Sequence, residues 1–403
     1  MVSSEELKGI REKVKMDRLI QRVSQLVALE SENPPGNEAG VARLAAGWLQ
    51  DLGFEVRLEE GAPGRPSVIA SLGASKGDAG RMGRTLVWLG HLDVVPVPDP
   101  ESWSYPPYEG KVSGGRLYGR GAADMKGAIG SVLEAVHALK EAGLAWEGRL
   151  VVCLVPDEET LGTHGAAYLA REGMIGGNAG IVGEPTGLKL GLAERGAFWY
   201  RLVVRGKAAH ASTPHLGESA VLRAARLTIA LLEQDFRGME HPLLGRPTVN
   251  VGTIKGGTKI NVVPDRCELE VDRRLLPGEG LDAVRKEVQA VLGYLREEDK
   301  GFRVEVEEIG YAEPMEVDRE EEIVRVASAV VEAVTGRPAE VYGMPAITDA
   351  RFLTNDCATP TVIFGPGTIN QAHTRDEYVD TEQLVAAAEV YAGLILSYLD
   401  RCR

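Results

Sequence analysis

Two histidines and a run of carboxylates stand at places in this chain where side chains of their type can act together: His91 and Asp93 in LVWLGHLDVVP, Asp124 in YGRGAADMKG, Glu158 and Glu159 in VVCLVPDEET, Glu184 in GIVGEPT, and His373 in INQAHTRDEY. Most of them directly follow apolar, β-branched runs that read as strands. In an open α/β sheet the ligand crevice lies outside the carboxyl ends of the strands, so these residues are expected to converge there. Neutral imidazole nitrogen and carboxylate oxygen are the donors that zinc takes. Carboxylates gathered in one crevice repel one another unless protons or cations compensate them, and a divalent metal is the economical compensation. A single post-strand His or Glu is an ordinary cap or surface residue; the coincidence of five such segments carries the expectation.

The glycine-rich YGRGAADMKG, residues 118–127, raises a competing possibility, because free N–H groups at a turn before a helix often hold phosphate. The dinucleotide fingerprint needs a glycine where Asp124 stands, and the phosphate-loop motif needs Lys followed by Ser or Thr. A carboxylate at that point repels a phosphate. The expectation is a turn with Asp124 at the start of a helix that runs from about Met125 and ends at Gly143.

The elements that position these residues follow from periodicity. Strands are expected at FEVRLEE, SVIASL, RTLVWLG, RLVVCLVP, AGIVG and PTVIFGPG, with helices over 16–29 and 38–52. That alternation predicts an α/β fold with a mostly parallel, doubly wound sheet. From about Ala197 the order becomes strand, helix, strand, strand, helix, strand, the ferredoxin-like pattern. This middle segment reads as an inserted domain, with both termini in the larger one. The boundaries expected are 1–196 and 311–403 for the larger domain and 197–310 for the insert. The Gly- and Ser-rich stretch from Gly61 to Arg84 reads as a surface hairpin or loop around one strand.

Composition bounds the function classes. The 403 residues suffice for two domains and a cleft. A net charge of -14 disfavours nucleic acid and anionic membranes as partners. No apolar segment reaches the roughly 18 residues of a spanning helix, and the mixed charges of the first 23 residues lack the apolar core of a secretory signal. Cys153, Cys267, Cys357 and Cys402 are far apart and show no CxxC spacing, so they are expected to be free thiols in a cytoplasmic protein. His137 is expected to be structural, His164, His215 and His241 lie in mixed loop contexts, His215 in one that shapes the lid, and DREEEI is expected to be a solvated helix start.

Taken jointly, NPPGNE, GHLDVVP, GRLYGRGAADMKG, DEET, GEPT, RGKAAHASTPHLGESA and GPGTINQAHTRDEYV resemble the metallopeptidase family of acetylornithine deacetylase, succinyl-diaminopimelate desuccinylase, aminoacylase and glutamate carboxypeptidase, in the same order along nearly the whole chain. The resemblance implies two zinc ions, with cobalt an alternative: His91 and Glu184 on one, Glu159 and His373 on the other, Asp124 shared. It implies Glu158 as general acid/base, Asp93 as the partner that fixes the His91 tautomer, and a lid and dimerisation role for the insert. His210 is expected to reach the partner subunit's site, and Arg195, Asn261 and Arg351 to bind substrate, although an Arg351 paired with Asp349 is the alternative. The implied reaction is hydrolysis of the amide bond of an N-acyl amino acid, or of a peptide bond by a dipeptidase or carboxypeptidase; a binding protein without catalysis is the reading from another class.

Overall fold

The computed structural model describes residues 1–73 and 83–400. The chain forms two compact units: Met1–Leu192 with Glu316–Tyr342 and Thr348–Arg403, and Ala193–Met315 with Gly343–Ile347. Most of the Gly- and Ser-rich stretch is described as the hairpin Glu55–Ala62 and Arg65–Gly73, whose strands pair antiparallel. Residues 74–82 of that stretch, and Cys402, lie outside the described residues.

The first unit is built on a sheet whose middle is parallel. Thr85–His91 pairs in parallel with Arg149–Val155 on one side and Ala179–Val182 on the other, and Thr361–Ile363 continues the parallel run. The flanks are antiparallel: Arg65–Gly73 pairs with Arg149–Val155, and Leu190–Glu194 with Thr361–Ile363. The central strands bury nearly every residue, which is why they read as continuous apolar runs rather than as alternation. Trp88 of the middle strand meets the ring of Tyr391 edge-on at 5.7 Å, and Tyr391 meets Phe364 at 5.8 Å while its hydroxyl donates to the Phe364 carbonyl. Tyr391 lies on Thr381–Leu399, a helix apolar almost all round and correspondingly buried.

The expected helices appear as Met16–Val27 and Ala39–Asp51, preceded by a capped helix Ser4–Lys13 that periodicity had not suggested. The helix after the glycine-rich turn begins later than expected: Gly127–Glu141 is regular, whereas Ala122–Lys126 is a wider turn with Asp124 and Met125 in non-helical conformations. Asp124 therefore precedes the helix by three residues. A small antiparallel sheet of Lys111–Ser113, Arg116–Tyr118 and Tyr378–Asp380 stands beside this turn.

The second unit follows the β-α-β-β-α-β order: Gly196–Arg205, Ala220–Leu232, Thr248–Gly256, Arg266–Leu275, Leu281–Glu298 and Arg303–Ala312. Its antiparallel sheet places the first strand between the third and the fourth, with the second at one edge. Alternation along Arg266–Leu275 sends Cys267, Leu269, Val271 and Leu275 into a core with Leu227, Leu231, Val288 and Leu292 of the two helices. Its outer surface differs: Leu222, Ile229 and Leu232 are exposed along one side of Ala220–Leu232.

Candidate metal centre

Seven residues expected at the site come together at the carboxyl ends of the parallel strands of the first unit. His91 closes Thr85–His91, Asp93 follows it, Glu158 and Glu159 follow Arg149–Val155, and Glu184 follows Ala179–Val182. Parallel strands end on the same side, so residues far apart in sequence are delivered to one edge.

Asp124 is the centre of the arrangement. His91 Nε2 lies 3.0 Å from Asp124 Oδ1 and 3.7 Å from Glu184 Oε1. His373 Nε2 lies 3.4 Å from the other oxygen, Asp124 Oδ2, and 3.0 Å from Glu159 Oε2. One carboxylate thus divides its two oxygens between two imidazoles, each of which faces a second carboxylate. Ligand atoms of His91, Asp124 and Glu159 lie within 4.8 Å of one another, the spread a bound ion needs.

The donor set fits cations. His91 Nδ1 donates to the Asp93 main-chain carbonyl at 2.9 Å, which leaves the lone pair of a neutral ring on Nε2, directed at carboxylate oxygen. Two acceptors face each other there unless a proton or a metal stands between them. Glu184 Oε1 is buried without a hydrogen-bond partner, an acceptor waiting for a positive ligand. The electrostatics agree. Burial pushes the Glu158 and Glu184 carboxyls well above their ordinary range and raises Glu159. Burial also acts on Asp124, but hydrogen bonds with His373 and His91 outweigh it and hold that carboxyl well below its usual range. Hydrogen bonds to Asp124 and Glu159 raise the His373 imidazole to about 10, and surrounding carboxylates raise His91 despite its burial.

Glu158 and Glu159 sit on a tight turn. Asp157 and Leu161 both have positive φ, 77° and 76°, a conformation that costs a non-glycine residue on the order of 1–3 kcal/mol and persists where surroundings enforce it. The enforcement is visible. The Asp93 carboxylate accepts from the Glu158 N–H at 3.2 Å, the Glu159 N–H at 3.1 Å and Asn33 Nδ2 at 2.9 Å. Asp157 accepts from Thr160 Oγ1 and the His164 N–H and pairs with Arg65. The Glu158 carboxylate itself makes no hydrogen bond or ion pair among the described residues.

Some expected roles take a different form. The tautomer of His91 is set by the main chain of Asp93; the Asp93 carboxylate is 3.7 Å away and holds the Glu158 turn instead. Arg351 is buried but is not hydrogen-bonded to Asp349: its Nη1 and Nη2 donate to the carbonyls of Thr348 and Leu161 at 2.5 and 2.9 Å, and its guanidinium stacks on Phe352. His210, Asn261 and Arg195 belong to the second unit. His210 and Asn261 are exposed neighbours there, joined through the Ala211 N–H to Asn261 carbonyl bond. The Ser212 N–H donates to His210 Nδ1, so the free ring N–H is on Nε2. Arg195 donates to the carbonyls of Leu244 and Arg246.

Three further participants were given no role by the sequence, although Asn33 and Glu377 lie in motifs quoted above and Asp349 was weighed only as a partner for Arg351. Asn33 bridges Asp93 and Thr160. Asp349 is a buried carboxylate with both oxygens unpartnered, raised to about 6 by burial. Glu377 is buried beneath the Asp124 turn. Residue type and spacing alone do not say which group each of them would meet.

With this geometry in hand, the chain matches peptidase family M20/M25/M40 over residues 87–397, and it belongs to that family, whose members are hydrolases of amide bonds. It is similar to the acetylornithine deacetylase of Vibrio cholerae serotype O1, with 31% identity over 386 residues, 93% of this chain and 95% of the relative. Among solved structures it resembles the aminopeptidase PepT of Bacillus cereus, at a TM-score of 0.79 and 24% identity, covering 95% of this chain and 98% of the other. It also resembles YXEP of Bacillus subtilis, described as a dinuclear metal binding peptidase, at a TM-score of 0.70 and 19% identity, covering 95% and 98%. These likenesses establish the α/β fold with its inserted ferredoxin-like unit. No helix among the described residues is long and apolar enough to cross a membrane.

Proposed function

We propose that this chain is a two-zinc amidohydrolase that removes the acyl group from an N-acyl amino acid, with N-acetylornithine and N-succinyl-diaminopimelate as representative substrates. The observation that carries the reading is the shared Asp124, with His91 and Glu184 at one oxygen and His373 and Glu159 at the other. Those five residues would hold the two ions, and cobalt would substitute for zinc. Bound there, the metals supply Lewis acidity toward the amide carbonyl and lower the pKa of water toward ~7.

The chain's own residues do the rest. Glu158, unpartnered beside the ligands, takes the proton of the attacking water on its carboxylate and returns it to the departing nitrogen. Its burial, which raises its pKa, keeps the carboxyl out of bulk water beside the ligands. The bonds from Asp93 keep the Glu158 and Glu159 main chains in place, so the neighbouring carboxylates serve different tasks. His210, with its N–H on Nε2, is suited to donate to the oxyanion, and we place it in the site of a second copy of the chain, in a homodimer formed through the second unit. Asn261 and Arg195 are proposed to contact the substrate, and free Cys153, Cys267 and Cys357 suit a cytoplasmic setting.

The test is a panel of N-acetyl, N-succinyl and N-formyl amino acids together with dipeptides, assayed for released amine with zinc or cobalt and after chelation. Preference for N-acyl amino acids by orders of magnitude in kcat/KM supports the deacylase, and preference for dipeptides transfers the same centre to a dipeptidase. Glu158→Gln is expected to keep its metal content and lose turnover by ~10²–10⁴. Full turnover in metal-free protein, or near-normal turnover in Glu158→Gln, refutes the assignment.

A further inference from the structure

The glycine-rich turn does cradle an anion, and the anion is internal. Glu377 Oε1 accepts from the N–H groups of Ala123 at 2.9 Å and Asp124 at 3.1 Å, and its Oε2 takes Arg120 Nη1 at 2.5 Å. All three side chains are buried or nearly so: Glu377 is 1% exposed, Arg120 4% and Asp124 6%. Successive N–H groups in such a turn form a concave anion site. The turn takes this shape through Gly121, at φ 82°, where a side chain would also collide with Val94.

The other end of the same segment carries His373. Between them, Arg120 Nη1 also reaches the Thr374 carbonyl at 3.4 Å, and the Gly119 N–H donates to the Glu377 carbonyl at 2.9 Å. Directly after Glu377, Tyr378–Asp380 pairs with Arg116–Tyr118, the strand that leads into the glycine-rich turn. The two segments are thus bonded on both sides of Glu377, and the side chains they present, Asp124 and His373, meet at 3.4 Å.

We propose that Glu377 is a positioning residue: its carboxylate clasps the turn bearing Asp124 to the segment bearing His373, so that the two ligands are set jointly for metal. The inference rests on the metal-centre reading above. The physical reason is that, if Asp124 is the shared ligand, its two oxygens would have to be held toward the His91 side and the His373 side at once. A turn with non-helical conformations at Asp124 and Met125 holds that aim only if its N–H groups are tied down. Loss of the clasp frees the bridging carboxylate and one ligand of the second ion together.

Zinc titration calorimetry of the metal-free full chain tests this, comparing wild type, Glu377→Gln and Glu377→Ala. Glu377→Gln keeps one oxygen for the two N–H groups but turns an amide toward Arg120, so metal affinity falls ~3- to 10-fold; Glu377→Ala empties the cradle, and affinity falls ~10- to 100-fold, the range for groups that support metal ligands. Turnover with saturating zinc falls in the same order while KM moves less than about twofold, because no substrate contact changes. Glu134→Gln is the control, since Glu134 is an equally buried carboxylate held by Arg18 and Arg22 elsewhere in the unit. It is expected to lower the melting temperature and leave zinc affinity at the wild-type value. Wild-type affinity in Glu377→Gln overturns the proposal, even if Glu377→Ala does not fold, and so does a loss matched by Glu134→Gln. A wild-type chain that takes up no divalent metal refutes the metal centre itself and is recognised by that result alone.

Discussion

Replacing Asp93 by Asn tests whether the Glu158 turn is held by charge. The Asp93 side chain is fully buried, and its two oxygens receive three donors: Asn33 Nδ2 and the Glu159 N–H on Oδ2, and the Glu158 N–H on Oδ1. Hydrogen bonds to an ionised acceptor contribute about 1.5–3 kcal/mol each, against about 1 kcal/mol for neutral ones. The best orientation of an asparagine keeps its oxygen at the Oδ2 position and preserves two bonds in weakened form. Its NH2 then faces the Glu158 N–H, so the third bond is lost and a buried donor is left unpaired. About 1 kcal/mol for each weakened bond and about 2 kcal/mol for the orphaned N–H give a loss of about 4 kcal/mol. For a unit of this size that corresponds to a fall of roughly 8–16 °C in Tm. Since Glu158 and Glu159 both ride on this turn, kcat for an N-acyl amino acid is expected to fall ~10- to 100-fold. Circular dichroism melting and an amine-release assay make the measurement. A variant within 2 °C of wild type and within about twofold in kcat refutes the reasoning and leaves the turn to Asp157 and Arg65.

Metal-free protein should lose stability as pH rises from about 5 to 9, because Glu158, Glu159, Glu184, Asp349, His91 and His373 all have raised folded-state pKa values, so the native state binds more protons than the unfolded chain across that window. Saturating zinc should remove or reverse the slope, and a metal-free Tm that climbs with pH would contradict the crowding of these carboxylates. If the chain forms the proposed homodimer of 43.3 kDa subunits, changing Leu222 and Ile229 of the exposed helix side to Glu should convert it to monomer in sedimentation, whereas a dimer left unaltered moves the interface elsewhere and a monomeric wild type refutes the homodimer. Arg351→Lys is expected to lower kcat more than it raises KM, since its guanidinium grips the Leu161 carbonyl of the Glu158 turn. A KM rise confined to substrates with a free carboxylate would make Arg351 a substrate-binding residue.

Much of the centre was legible in the sequence because its chemistry and its position coincide. His91, Glu158, Glu159 and Glu184 follow apolar runs whose strand character is local, and a parallel sheet brings such ends together whatever the intervening loops contain. The insert was legible for a similar reason: its strands and helices alternate in an order that few folds share, and its core positions keep period two or 3.6. Residue type also excluded the phosphate reading of YGRGAADMKG, through the carboxylate of Asp124.

What tertiary structure decided is which groups satisfy one another across long separations. The sequence excluded a phosphate at that turn but did not show what its N–H groups hold: they hold Glu377, 254 positions from Ala123. The carboxylate of Asp93 grips a turn 65 residues away instead of the ring two residues away. Arg351 turns from its neighbour Asp349 toward Leu161. Local sequence determines backbone preference and the chemistry that each side chain offers. Partners are chosen by burial, where every polar group must find whichever donor or acceptor the packed chain brings within 3 Å or so.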